Sequence, residues 1–182
     1  MAHIARWILG YHGCTQDLTN ELITGTRPIS AWPQSNNSYD WLGLGIYFWE
    51  HGPERAMQWA QDKYRTSAAT VGAIIQIGHC FDLLDVGFTA KLLPAYLREK
   101  AEAEAAGRSL PVNRGRDDDL GGRYLDCFML NACLQELPEF QAVRGSFQEG
   151  KEAFPGAKIF RKSHIQIAVR DHRCILGVFR PT

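Results

Sequence analysis

Residues 41–50, WLGLGIYFWE, constrain this chain more than any other stretch. They follow a polar run, SNNSYD (35–40), and bring together two tryptophans, a tyrosine, a phenylalanine and two glycines. From Leu44 onward the run of large apolar side chains is that of a strand. Alternate side chains of a strand face opposite ways. Ile46 and Phe48 therefore share one face, while Gly45, Tyr47 and Trp49 share the other. The first face is core. The second sets a phenol beside bare backbone, with Gly45 clearing the floor next to Tyr47. Two readings of that face stay open: a core strand with a hydrogen-bonded tyrosine, or a platform on which a planar ring stacks.

The rest of the chain supplies partners for this strand. ARWILGYHG (5–13) has the apolar density of a buried strand ending at Gly10 or Gly13. Thr15 is placed to cap a helix over 16–24, and Gly25 to stop it. A polar, proline-containing loop fills 26–40, and Pro53 opens a helix over 53–65. A strand is expected at 71–78, a helix at 88–107 with Thr89 as its cap and Pro94 near its start, and an apolar helix at 123–137. The tail reads as short strands at 140–147, 157–160, 164–170 and 173–179. Asp171 and His172 form a tight hairpin turn between the last two. Helices early and strands late predict an α+β fold in one domain, 1–182, not a regular βαβ winding.

Composition removes several classes of function. Lys+Arg and Asp+Glu are each 20, so nothing in the net charge argues for nucleic acid or a membrane surface as a default partner. Five cysteines, an odd count without CxxC spacing, argue against a disulfide framework and against a zinc knuckle. Reduced, mostly buried thiols in a cytoplasmic protein are the simpler expectation. No segment has the length of a membrane span or of a secretory core. The GLG at 43–45 lacks the spacing of a dinucleotide fingerprint, and no GxxxxGK[ST] occurs. The acidic run 117–119 has neither histidine nor a calcium-loop pattern beside it, so no metal is expected.

Two further places could carry chemistry. In YHGC (11–14) His12 stands at a strand end with Gly13 behind it, and a glycine lets backbone approach a flat ligand. A half-buried turn histidine is the alternative. In SHIQIAVRD (163–171) alternation puts His164, Gln166 and Ala168 on one side and Ile165, Ile167 and Val169 on the other. A glutamine in mid-strand is costly to bury unless both ends of its amide are bonded, so Gln166 is either a satisfied core amide, a solvent-facing group or a ligand.

Taken in order, these three places resemble the His–Tyr–Glu signature of ADP-ribosyltransferases of the diphtheria-toxin and poly(ADP-ribose)-polymerase branch. That signature has a histidine in an HGT or HGS motif on the first strand, a tyrosine in a G-x-GIYF motif on a later strand, and a glutamate opening an E-Y-I-V-Y-D type strand near the C-terminus. Here YHGCT supplies His12 and Gly13, GLGIYF supplies Tyr47, and QIAVRD (166–171) sits on the third motif, with Gln166 at the glutamate position. The motifs are short but span positions 12 to 171. The SNNSYDWLGLGIYFWE segment with the ERAMQWA helix also resembles bacterial members of the branch.

The resemblance implies a split β-sheet sandwich, mixed or antiparallel and flanked by helices, with NAD+ in the cleft between its halves. It implies that His12 bonds ribose hydroxyls, that Gly13 main chain clamps the nicotinamide carboxamide, and that Tyr47 stacks on the nicotinamide ring. Gln166 can bond the ribose but has no charge. Mono-ADP-ribosyl transfer, NAD+ glycohydrolase activity and an inactive NAD-like binding module therefore all remain open. Glu149, in the loop SFQEGKEAFPG (146–156), is the candidate for a replacement carboxylate or for orienting the acceptor; a solvated loop carboxylate is the alternative. Ser35 and Ser38 are candidates for ribose or phosphate contacts, or ordinary loop serines; His164 is a candidate for a ribose contact, or a satisfied sheet histidine; Arg27 and Arg144 are candidates for pyrophosphate or acceptor contacts, or solvated surface. The expected partners are NAD+ and a macromolecular acceptor, protein or nucleic acid. A toxin or phage-defence role with an antitoxin protein follows by analogy alone.

Overall fold

The computed structural model describes residues 6–115 and 121–182. Its strands are β1 (Trp7–Thr15), β2 (Ile46–Glu50), β3 (Ala68–Gln76), β4 (Cys80–Asp82), β5 (Ala142–Phe147), β6 (His164–Val169) and β7 (Ile175–Phe179). Its helices are α1 (Gln16–Thr24), α2 (Pro53–Tyr64), α3 (Val86–Thr89), α4 (Leu92–Ala105) and α5 (Tyr124–Gln135). The fold is α+β. One seven-stranded sheet runs in the order β4-β5-β6-β2-β1-β3-β7, and only its β4–β5 pair is parallel. Among the described residues no helix is long and apolar enough to cross a membrane.

Local signals set the early elements as the sequence predicts. Thr15 Oγ1 accepts the Leu18 N–H, and Gly25 ends α1 at φ 75°. The sheet is covered on both faces because its central strands are apolar on both. Ile46, Phe48, Ile167 and Val169 join Ile8, Cys14, Trp32, Val71 and Ile75 in one core, with Leu18, Leu22 and Ile23 of α1. On the other face Tyr47, Ala168, Val143 and Phe81 pack against Ala95 of α4 and Met129, Leu130, Cys133 and Leu134 of α5. Helix α2 lies on that second face over β1 and β3. A side chain at Gly13 would run into the Ala56 carbonyl oxygen.

The seam between β1 and β2 is the weakest join. Gly10 lies opposite Glu50 and Tyr11 opposite Trp49, and the registered pairing stops there. The β1–β3 pairing, by contrast, runs the full length of both strands, from Trp7 opposite Gln76 to Thr15 opposite Ala68.

Three expectations are corrected, and one strand is added. The last two strands do not form a hairpin. Both edges of β6 are already taken by β2 and β5, so the chain turns through Asp171 and a 3-10 turn (His172–Cys174) and crosses to pair β7 with β3. The segment 157–160 is not a strand. Among the described residues it forms only an isolated Glu152–Phe160 bridge, and Ile159 is exposed rather than packed. The helix expected over 88–107 divides into α3 and α4, with Asp85 rather than Thr89 capping α3. Pro94 falls in the first turn of α4, where its missing N–H breaks no helical bond. Finally, β4 is only three residues long, too short for a periodic signal, so the sequence does not predict it.

Candidate active site

The three motif strands are neighbours in space: β6, β2 and β1 stand side by side. Trp49 is opposite Gln166 and Tyr47 is opposite Ala168 on β6, so Tyr47, Trp49 and Gln166 share one face of the sheet.

His12 sits where β1 and β2 part. Its Nδ1 is 2.7 Å from the Tyr47 carbonyl oxygen, and a carbonyl only accepts, so Nδ1 carries the proton. The neutral ring then presents Nε2 as an acceptor, which suits a hydroxyl donor such as a ribose. The imidazole packs edge-on to Trp32, with ring centres 5.2 Å apart, on the face opposite the Tyr47 phenol. Burial pushes its pKa down to about 4, with the Tyr47 carbonyl opposing that shift and the Lys63 charge adding to it. The folded state holds His12 neutral down to about pH 4, whereas the unfolded chain takes up the proton near pH 6.5. Stability is therefore lost as pH falls through that window, by on the order of 3 kcal/mol in all. Urea unfolding between pH 7 and pH 4 checks this: a His12→Gln variant is expected to show a shallower decline than the parent.

The Tyr47 hydroxyl accepts from Leu42 N at 2.8 Å and donates to the Gly43 carbonyl at 2.7 Å. Burial, and next the Asp40 charge, raise its pKa well above the usual phenol range, so it stays protonated. The hydroxyl clamps the turn before β2, and the residue as a whole is partly buried against the second core. The glycines beside it answer to that turn. Gly43 has φ 73°, and a side chain on it would strike Asn131, whose Oδ1 accepts from Leu44 N at 2.9 Å. A Cβ at Gly45 would lie 3.0 Å from the Val169 carbonyl oxygen, so Gly45 lets the chain lie close on β6. The space it clears holds protein backbone rather than a floor beside the phenol.

Glu149 is fixed in place by its contacts. It stands on the β5–β6 connection, and its Oε2 is 2.6 Å from Nη2 of Arg55 on α2. His164 Nδ1, bonded to the Lys162 carbonyl at 2.6 Å, is 3.9 Å from the same carboxylate oxygen. His164 and Gln166 are alternate residues of β6 and share a face, so Glu149 reaches the same side of the sheet as Gln166. Aromatic rings wall the group. The Arg55 guanidinium lies 5.6 Å from the centre of the Trp49 ring, Trp49 is 5.6 Å from Trp59, and Trp41 is 4.8 Å from Phe147. Gln166 itself is buried.

The remaining candidates lie apart from this group. Arg144 forks onto Glu50 at 2.6 and 3.0 Å and also bonds Asp82. It stands opposite Ile167, on the face away from Gln166, and its carboxylate partners raise its pKa. It holds the fold together and does not reach a ligand beside Gln166, which corrects the expectation for it. Arg27 pairs with Glu21 at 2.6 Å. Ser35 donates to Asp40 at 2.8 Å and pairs through its backbone with Gly45. Ser38 lines a separate cavity of about 310 Å³ with Asn37, Tyr124, Cys127 and Asn131. A larger one, about 470 Å³, lies beside Gln141, Arg170 and Arg173. The five cysteines are free thiols, and burial pushes Cys80 up to about 12 and Cys174 up to about 11, so neither is a nucleophile near neutrality. The acidic run 117–119 lies outside the described residues.

Sequence reasoning missed Arg55, Trp49 and Trp59 as members of the site. Two signals pointed to them: alternation puts Trp49 with Tyr47, and Arg55 and Trp59 stand four apart on α2, one above the other. Comparison with protein-family models, with curated proteins and with solved structures found no match. The resemblance stands on the residues at the motif positions.

Proposed function

We propose that the chain is an NAD+-dependent mono-ADP-ribosyltransferase of the His–Tyr–Glu type, with NAD+ passing between the two faces of the sheet where the β1–β2 pairing ends. The observation that supports this reading is that YHG, GLGIYF and QIAVRD, far apart in sequence, occupy three adjacent strands. Glu149 supports it further, because it supplies on the Gln166 side the negative charge that Gln166 lacks.

The chemistry asks little of covalent catalysis. The bond between ribose C1′ and the nicotinamide nitrogen breaks, and its electron pair leaves with a neutral nicotinamide. Positive charge develops on the ribose. An acceptor nucleophile then bonds C1′ and gives up its proton. The residues have only to hold the ribose and place negative charge beside it. In this reading His12 Nε2 accepts from a ribose hydroxyl, the Tyr47 ring supports the nicotinamide, the Gln166 amide bonds the second ribose, and the Glu149 carboxylate stabilises the cation or orients the acceptor. The setting suggested by the resemblance is a cytoplasmic toxin or phage-defence effector held in check by an antitoxin.

NAD+ labelled in its adenylate phosphate, incubated with the protein and cell lysate, tests transfer. Label is expected in a macromolecular fraction and should be released by protease or by nuclease, according to the acceptor. Free ADP-ribose alone would replace transfer with NAD+ hydrolysis.

A further inference from the structure

Two arginines of this chain meet carboxylates in contrasting ways. Arg144 uses Nε and Nη2 together on Glu50 and Nη1 on Asp82, so every edge of its fork is occupied. Arg55 uses Nη2 alone, on Glu149. Its Nε and Nη1 are buried and meet no hydrogen-bond partner among the described residues. A buried guanidinium donor left unbonded is destabilising, and a guanidinium is suited to planar, two-point capture of carboxylate or phosphate oxygens. The Trp49 indole N–H beside it is also buried without a partner, and Trp49 is 3% exposed.

From this arrangement we infer that Arg55 is the phosphate receptor of the site and that Glu149 is its latch. The identification of the anion as the diphosphate of NAD+ rests on the function proposed above; the receptor itself does not. A guanidinium has two edges for two-point binding, Nε with Nη2 and Nη1 with Nη2, and both include Nη2. Glu149 holds Nη2. Nη2 carries one hydrogen on each edge, so Glu149 occupies one of the two edges, and a phosphate that takes that edge must displace it. The displaced carboxylate belongs to the β5–β6 connection, beside His164 and on the Gln166 side of β6. Binding of the diphosphate on that edge thus releases the negative charge needed at the ribose, and an empty site keeps that charge neutralised.

Calorimetric titration with inorganic pyrophosphate tests the competition without any turnover. Glu149→Gln, which removes the competing charge, is expected to tighten pyrophosphate binding about tenfold. Arg55→Gln is expected to weaken it at least tenfold, and in the Arg55→Gln, Glu149→Gln double variant the gain from Glu149→Gln should vanish. Arg55→Lys keeps the charge and loses the fork, so it should recover only part of the affinity. Far-UV circular dichroism and melting curves establish that each variant is folded. Unchanged or weaker pyrophosphate binding by folded Glu149→Gln would overturn the latch. Parent-like binding by folded Arg55→Lys, or by folded Arg55→Gln, would overturn the receptor. Absence of NAD+ cleavage by the parent protein would bear on the proposed function and leave the pyrophosphate result readable.

Discussion

Replacing Glu149 by glutamine is expected to slow nicotinamide release from NAD+ by about 100-fold, the usual scale for removing one group that stabilises charge in a transition state. The side chain keeps its shape and loses only its charge. Because the same change frees Arg55, KM should fall while kcat falls further, a split that general damage to the fold does not produce. Release rates at saturating and limiting NAD+ measure both. Parent-like kcat in the folded variant would remove Glu149 from the chemistry and leave the uncharged Gln166 to act alone. A carboxylate that serves only to tie the β5–β6 connection to Arg55 predicts an unchanged kcat.

Arg144→Ala is expected to cost about 3–5 kcal/mol of stability, a large fraction of what keeps a domain of this size folded. Arg144, Glu50 and Asp82 have side chains only 12, 13 and 11% exposed, so truncation leaves two carboxylates with little water around them. Arg6 still reaches Asp82 at 3.2 Å, but it is 61% exposed and does not touch Glu50. Arg144→Lys should recover part of the loss, since an ammonium cannot fork onto Glu50 while bonding Asp82. Chemical denaturation at pH 7 measures both variants. A loss under about 1 kcal/mol for Arg144→Ala would mean that this cluster behaves as an ordinary surface ion pair.

These two arginines mark where the sequence could be read and where it could not. The strand expected over 44–50, found from Ile46, its two faces, the Thr15 and Gly25 caps and the helix at Pro53 follow from signals within a few residues. Strand order is not local. The β6–β7 connection looked like a hairpin because Asp171 and His172 are good turn residues, but β6 had no free edge to offer. The same limit applied to Arg55 and Arg144. Each pairs with an acid 94 positions away. Nothing local says that one fork is saturated and the other is not. Gly45 was misread for a related reason: its neighbour, the Val169 carbonyl, comes from the far end of the chain.

The central claim is that β1, β2 and β6 together build one NAD+ site. The most direct measurement is NAD+ titration of the parent, His12→Gln and Gln166→Ala proteins, with nicotinamide release followed in the same samples. The account predicts one NAD+ bound per chain, nicotinamide released by the parent, and both variants weakened although their substitutions lie on different strands and far apart in sequence. NAD+ affinity and release indifferent to both substitutions, or a parent protein that neither binds nor cleaves NAD+, would contradict it.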